Sequence, residues 1–337
     1  KEDVKDMLLA ACRALNSYGV TSCQTDDYCA FRGVCWTVVN EAYRELEQEG
    51  KLTVRVYEQS NFTSLEELRK FVEAGNRTGT GSRFKIGPLK MLGDGALGAR
   101  TAYLSRPYAD DPSTCGIPVF SQETLDEMIG YANAQGMQAA VHAIGDACLD
   151  RVLNAYEKAL KDHPRTDHRH GIVHAQTTTP ALLERMKALG LQAYIQPIFI
   201  DADMNIIAER VGEAHAKECY NWKAMEDLGI RISGGSDCPV EPFNVLDNLR
   251  AAVTRQNRAG TRVYLPEQAL TVEQAVRLFT SDAAWASRDE AVRGTLELGK
   301  QADLVVLDRD LFAIEPDTFP EAKVLETVLN GRTVFRA

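Results

Sequence analysis

The sequence predicts an α/β fold: a (β/α)8 TIM-type barrel missing its first strand, followed by a small partial β-sandwich at the C-terminus. Three observations predict it. Short apolar runs alternate with amphipathic stretches along most of the 337 residues, the pattern of repeated β-α units on a parallel sheet. Four junctions set a helix-ending glycine directly before an apolar strand, at Gly19-Val20, Gly136-Met137, Gly190-Leu191 and Gly229-Ile230, and read as one repeated supersecondary unit. Seven strands can be counted, one short of a closed barrel, whereas an open doubly wound sheet more often has fewer strands and a glycine fingerprint after the first.

In chain order the strands fall at residues 20–24, 52–57, 84–92, 137–143, 171–175, 191–196 and 230–234. Between them, the stretch 123–135 carries Leu125, Met128, Ile129 and Ala132 at helical spacing behind a Ser121 cap, and Gly136 ends it. The same grammar returns in Leu149, Val152, Leu153, Tyr156 and Leu160, and again in Leu182, Leu183, Met186 and Leu189 before Gly190. Helical segments 245–255 and 272–281 follow the last barrel strand. From about Gly294 short strands at 304–307, 324–329 and 333–335 run without intervening helices. The expected domains are therefore a barrel over 1–290, with strands two to eight, and the C-terminal part of a β-sandwich over 291–337.

Composition excludes several classes. Apolar residues at 45 % and charged residues at 26 %, with Gly 24 and Pro 12, are those of a globular protein with a sizeable core. Lys+Arg 38 against Asp+Glu 48 gives a net charge of −10, which argues against a nucleic-acid partner. No apolar run approaches the ~18 residues that span a bilayer, and the opening Lys1-Glu2-Asp3-Val4-Lys5-Asp6 is not a signal segment. A cytoplasmic protein acting on a small molecule is the expectation, with a homo-oligomer left open. The eight cysteines, at 12, 23, 29, 35, 115, 148, 219 and 238, form no Cys-x-x-Cys pair and read as reduced thiols. The four at 12–35 lack the spacing of a zinc knuckle.

In a parallel barrel the chemistry sits where the strands end, because the loops there converge on one mouth. The polar residues at those ends are Lys90, His142, His174, Gln196 and Asp237. Two neutral imidazoles and an anionic oxygen suit a divalent cation, zinc first, with iron or manganese tolerating similar ligands. A single histidine after a strand is more often a buried structural group. Two of only six histidines ending successive strands, with Asp237 on the last, favour a metal site. The spacings, 52 residues from Lys90 to His142, 32 on to His174 and 63 on to Asp237, depend wholly on the barrel to bring the four together. Lys90 is either a salt-bridged lysine or, when burial lowers its pKa, an amine that adds carbon dioxide to become an anionic carbamate bridging two metals. Such a centre activates water, and Asp237 then takes the proton and hands it to the leaving group.

The stretches Lys90-Met91-Leu92-Gly93-Asp94-Gly95-Ala96-Leu97-Gly98-Ala99-Arg100-Thr101-Ala102, Val141-His142-Ala143-Ile144-Gly145-Asp146, Val173-His174-Ala175-Gln176, Gly235-Ser236-Asp237-Cys238-Pro239-Val240 and Gly299-Lys300-Gln301-Ala302-Asp303-Leu304-Val305-Val306-Leu307-Asp308 resemble the metal-dependent amidohydrolase superfamily, most closely its YtcJ-like branch, amidohydrolase family 3. The resemblance covers essentially the whole chain. It implies Lys90 as a carboxylated bridging ligand, His142 and His174 as ligands of the second metal, and Asp237 as ligand and proton shuttle. It also implies an earlier strand ending in His-x-His. No His-x-His precedes residue 142, and the one instance, His168-Arg169-His170, lies just before the His174 strand. With seven strands and a first residue other than Met, the chain is expected to be the C-terminal part of a longer protein.

Supporting roles are expected for five residues. Asp146 and Gln176 are near enough in sequence to orient the two histidines, with a helix cap as the alternative for Asp146. Asp94 and Arg100 either face substrate at the mouth or form a loop salt bridge. His170 is expected to be structural or to support a ligand, and His163 and His215 to lie on solvated surfaces. Gly93, Gly95 and Gly98 give only a weak phosphate-loop signal. The expected activity is metal-dependent hydrolysis of a non-peptide carbon–nitrogen bond in an amide, N-acyl compound or cyclic amide. The alternatives are a non-catalytic fragment or binding scaffold, and a hydrolase with one metal on His142, His174 and a third group.

Overall fold

The structure, a computed structural model, describes residues 1–31, 33–79 and 83–337. Seven strands form one sheet: β1 (Ser22–Thr25), β2 (Arg55–Asn61), β3 (Phe84–Leu92), β4 (Ala139–Ala143), β5 (Gly171–His174), β6 (Gln192–Ile195) and β7 (Ile232–Gly234). Every pairing is parallel, and spatial order equals sequence order. The connections carry α1 (Glu2–Ser17) before β1, then α2 (Asp27–Ala30), α3 (Trp36–Gln48), α4 (Leu65–Glu73), α5 (Gln122–Ala134), α6 (Asp146–Asp162) and α7 (Pro180–Ala188). Four short helices, α8 (Ile200–Asp203), α9 (Ile207–Val211), α10 (Glu213–Ala216) and α11 (Trp222–Asp227), fill the β6–β7 connection. After β7 come α12 (Val245–Thr254), α13 (Val272–Leu278) and α14 (Ser281–Ala286), then an antiparallel sheet of β8 (Leu304–Leu307), β9 (Val324–Leu329) and β10 (Arg332–Arg336) in the order β10-β9-β8.

Helix α5 illustrates how the connections are specified. Leu125, Met128, Ile129 and Ala132 are all buried, the apolar face that the spacing dictates. Ser121 accepts a hydrogen bond from Thr124 N at 3.2 Å, a cap of the kind that stabilises a helix by about 1 kcal/mol. In the next connection, Tyr156 from α6 sends its hydroxyl to the carbonyls of Ala139, at 3.1 Å, and Gly171, at 2.9 Å, tying helix to sheet.

The sheet curls around an interior of its own. Tyr57 OH on β2 donates to Gln138 Oε1 at 2.8 Å, and Gln138 Nε2 donates to Tyr194 OH on β6 at 2.9 Å. Side chains two and four strands apart therefore meet inside the curve. Nearby, Ala140, Val173, Tyr194 and Ala286 make a small apolar cluster, and Lys85 Nζ donates to Ser287 O at 2.9 Å while pairing with Asp289. These contacts fill the end of the barrel at which the strands begin.

Two strands depart from simple alternation. The second expected strand, 52–57, is displaced: β2 runs to Asn61, and its polar second half, Glu58-Gln59-Ser60, is buried. Apolar periodicity cannot register a strand of that kind. On β3 the register slips by one residue between the pairs Glu58↔Ile86 and Ser60↔Leu89, where Gly87-Pro88 lies and Pro88 has no N–H for the ladder. A Cβ on Gly87 would stand 2.5 Å from Glu58 O. The slip reverses the parity of the strand, so Lys85 and Lys90, five positions apart, both face the barrel interior.

The C-terminal sheet is fastened to the barrel by polar contacts. Arg55 on β2 pairs with Asp303 through Nε at 2.6 Å and Nη2 at 3.2 Å, with both side chains 4 % exposed. Thr327 Oγ1 donates to Asn16 O at 2.7 Å. Among the described residues no helix is long and apolar enough to cross a membrane, and all eight cysteines are free.

Candidate functional site

Strand ends β3, β4 and β5 bring Lys90, His142 and His174 together. Leu92 lies opposite His142 and Ala143 opposite His174 in the ladders. On β4 the imidazole shares the inward parity of Ala140. On β5 parity alone would turn His174 outward with Ile172. The backbone corrects this, for His174 has φ 76° and Ala175 φ 46°, a left-handed conformation that costs a residue with a Cβ about 1 kcal/mol or more. The result is an edge-to-face imidazole pair with centroids 4.4 Å apart. Phe199 stacks on His174 at 5.7 Å.

Each ring is held by its Nδ1. Asp94 Oδ1 receives His142 Nδ1 at 2.9 Å, and Gln196 Oε1 receives His174 Nδ1 at 2.6 Å. Gln196 cannot present its other end, because its Nε2 donates to Tyr194 O at 2.9 Å. With Nδ1 taken up by an acceptor in both rings, Nε2 is the nitrogen that a neutral ring presents to a ligand. Burial, with repulsion from His142 and Lys90, keeps the His174 pKa well below its ordinary value, so the ring is neutral and suited to a cation. Lys90 Nζ is buried and donates to Gln59 Oε1 at 3.3 Å. Burial lowers its pKa against the attraction of Asp26 and Asp237, which favours the neutral amine that carbamate formation requires.

Asp237 lies three residues past β7 at φ 55° and is exposed, near enough for its charge to act on Lys90. Among the described residues no three His, Cys, Asp or Glu side chains lie close enough to hold a metal ion unaided. The donor set is thus two free imidazole edges beside a lysine, and it fits a divalent cation when Lys90 itself carries an anionic group.

The supporting residues are rearranged relative to expectation. Asp94 turns both carboxylate oxygens to protein donors. It is buried, with Oδ1 also accepting Ile144 N at 3.1 Å and Oδ2 accepting Gly145 N at 2.8 Å and Tyr103 N at 2.9 Å. The glycine before it is needed for close approach, since a Cβ on Gly93 would lie 2.7 Å from His142 O. Arg100 forms the loop salt bridge, with its Nη2 2.6 Å from Asp110. Asp146 starts α6 but binds Ser105 N at 2.8 Å in place of an imidazole of the centre. Gln176 donates to Asp203 at 2.9 Å, leaving the orientation of His174 to Gln196. His170 lies before β5 at the opposite end of the barrel, stacked on Tyr156 with centroids 5.1 Å apart and accepting Ala139 N at 2.9 Å. His215 is not on a solvated surface: its side chain is 10 % exposed and binds Glu218 at 2.6 Å. His163 is exposed.

Gln196 ends its strand and is visible by the strand-end rule, although the role falls to it only through the turn at His174. Gln59 on β2 and Asp26 just past β1, both near Lys90, lie in stretches that are polar throughout.

The family model described as "Amidohydrolase family" matches residues 1–335. The YtcJ amidohydrolase of Bacillus subtilis is 33 % identical over 335 residues, 98 % of this chain and 61 % of that protein. The N-substituted formamide deformylase of Arthrobacter pascens is 29 % identical over 218 residues, 64 % of this chain and 40 % of that protein. The crystal structure of an uncharacterized metal-dependent hydrolase from Pyrococcus furiosus matches with TM-score 0.78 and 34 % identity, covering 91 % of this chain and 60 % of that one. The chain spans about three fifths of the length of the Bacillus and Pyrococcus relatives.

Proposed function

From the premise that this chain belongs to the amidohydrolase family, we propose that it acts as a metal-dependent hydrolase of a carbon–nitrogen bond other than a peptide bond. Amides, N-acyl compounds and cyclic amides are the substrate classes, and the likeness to a deformylase of N-substituted formamides favours a small N-acyl group. The observation that carries the reading is the imidazole pair, both Nδ1 atoms pinned by oxygen acceptors beside a buried lysine. His142 and His174 would hold a divalent cation, zinc first, through Nε2, with Lys90 contributing as its carbamate and Asp237 as a further oxygen donor. When bound, such a cation lowers the pKa of water toward ~7 and polarises a carbonyl oxygen. Asp94 and Gln196 keep the two rings in the ligating tautomer. Asp237, exposed at the mouth, takes the proton of the attacking water on its carboxylate and delivers it to the leaving nitrogen. Phe199, stacked on His174, shields one face of that ring from water.

The test combines metal analysis with hydrolysis of a panel of N-formyl and N-acetyl amines. The expected result is bound zinc at one equivalent or more and amine release that a chelator abolishes. A chain that binds no metal and releases no amine would favour the second reading, a binding scaffold, which draws its support from the lack of three close His, Cys, Asp or Glu ligands among the described residues.

A further inference from the structure

Asp26 follows β1, and its carboxylate is divided between a satisfied and an unsatisfied oxygen. Oδ2 accepts Asn61 Nδ2 at 2.9 Å. Oδ1 is shielded from solvent and has no hydrogen-bond partner among the described residues, the neighbouring Cys29 thiol donating to the backbone carbonyl of Asp26 at 3.3 Å. Asp26 occupies the N-cap position of α2, yet its side chain does not cap that helix. The capping task belongs to Glu58, fully buried on β2, whose Oε1 accepts Asp27 N at 2.9 Å. The segment bearing Asp26 is therefore fixed from outside the barrel while its carboxylate points inward. There it meets the polar chain Gln24–Gln59–Lys90, in which Gln59 Nε2 donates to Gln24 at 3.2 Å and Gln59 Oε1 accepts Lys90 Nζ at 3.3 Å. Asn61, which holds Asp26, lies directly opposite Lys90 in the β2–β3 ladder. Asp26 thus approaches Lys90 from the β1–β2 side, and the imidazoles approach from β4 and β5.

We propose that Asp26 supplies an anionic oxygen ligand to the divalent-cation centre, on the side of Lys90 away from His142 and His174. A buried carboxylate oxygen without a donor is costly and calls for a compensating charge. Lys90 as an ammonium supplies part of it. Once Lys90 carries a carbamate, the same place holds two neighbouring anions, and a cation between them restores the balance. The inference rests on the proposed metal centre and extends it to β1, a strand to which nothing else assigns a ligand.

The experiment measures the zinc affinity of the chain in bicarbonate buffer by competition with a chromophoric chelator, for the parent, Asp26→Asn and His174→Ala. A carbon-13 spectrum of chain equilibrated with labelled bicarbonate reads the carbamate of Lys90 independently of activity. Asp26→Asn keeps the shape and the contact with Asn61, so its melting temperature in chelator should equal the parent's. Asp26→Ser removes the carboxylate by a second route should the amide disturb packing. The expected result is a zinc affinity at least about 10-fold weaker in both Asp26 variants, with a smaller carbamate signal. Zinc bound as tightly by both Asp26 variants as by the parent, while His174→Ala has lost it, overturns the assignment of Asp26 and leaves the centre standing. Zinc bound equally by all four chains overturns the centre and this inference together.

Discussion

Asp94 gathers four donors, three backbone N–H groups and the His142 ring, and so joins the loop after β3 to the start of α6. Replacing it with Asn keeps the shape but swaps one carboxylate oxygen for an amide donor facing N–H groups. Zinc affinity should fall about 10- to 100-fold, read by chelator competition. Asp94→Ala should in addition lose about 1–3 kcal/mol of stability for each buried N–H left without an acceptor and unreached by water, read by urea denaturation. A second residue-scale prediction concerns pH. Burial holds the His170 pKa well below its ordinary value, so the folded state binds this proton less readily than the unfolded chain. The stabilisation is complete above the unfolded pKa of about 6.5 and is lost as pH falls toward the folded pKa. Melting temperature should decline below about pH 6.5, and His170→Gln, remote from the proposed metal centre, should flatten that decline. An unchanged slope in the variant would remove His170 from the account.

Among the elements, β2 and β3 carry the decisive irregularities. Gly87→Ala would place a Cβ 2.5 Å from Glu58 O, and the least costly relief is to move β3 against β2. We expect a loss of about 1–3 kcal/mol together with weakened zinc binding, because Lys90 lies three residues beyond the slip. Intact affinity in a destabilised variant would separate the slip from the site. At the other end of β2, Arg55→Ala strands the buried Asp303 charge and should cost about 3–5 kcal/mol, whereas replacing both partners by apolar residues should be close to neutral; a double-mutant cycle by denaturation reads the difference. These elements also mark where the sequence stops being legible. The positions of β3 to β7 can be read because apolar runs alternate with capped helices, and Lys90, His142 and Asp237 because they end such runs. The polar half of β2 cannot, since Glu58, Gln59 and Ser60 are buried without being apolar. Nor can the turn of His174, which depends on φ 76° and not on any periodicity. For the same reason Asp146 and Gln176, near their histidines in sequence, are passed over for Asp94 and Gln196, which are near in space.

At the scale of the molecule, the proposed cation is a ligand of the folded state alone, so zinc at 100 times its Kd should add about 2.7 kcal/mol to stability. Calorimetry with and without chelator measures this, and equal melting temperatures would speak against a bound cation. The strand order of the sheet, in which each strand pairs with its successor across a helical crossover, has a consequence in time. The backbone hydrogen bonds of a helix close over four residues, whereas His142 and His174 meet only after a loop of 32 residues is shut, and Lys90 joins them across another 52. Contacts so distant along the chain are slow to arrive. During refolding, helical ellipticity should recover early and the capacity to capture zinc late, making metal uptake a clock for the final assembly of the chain.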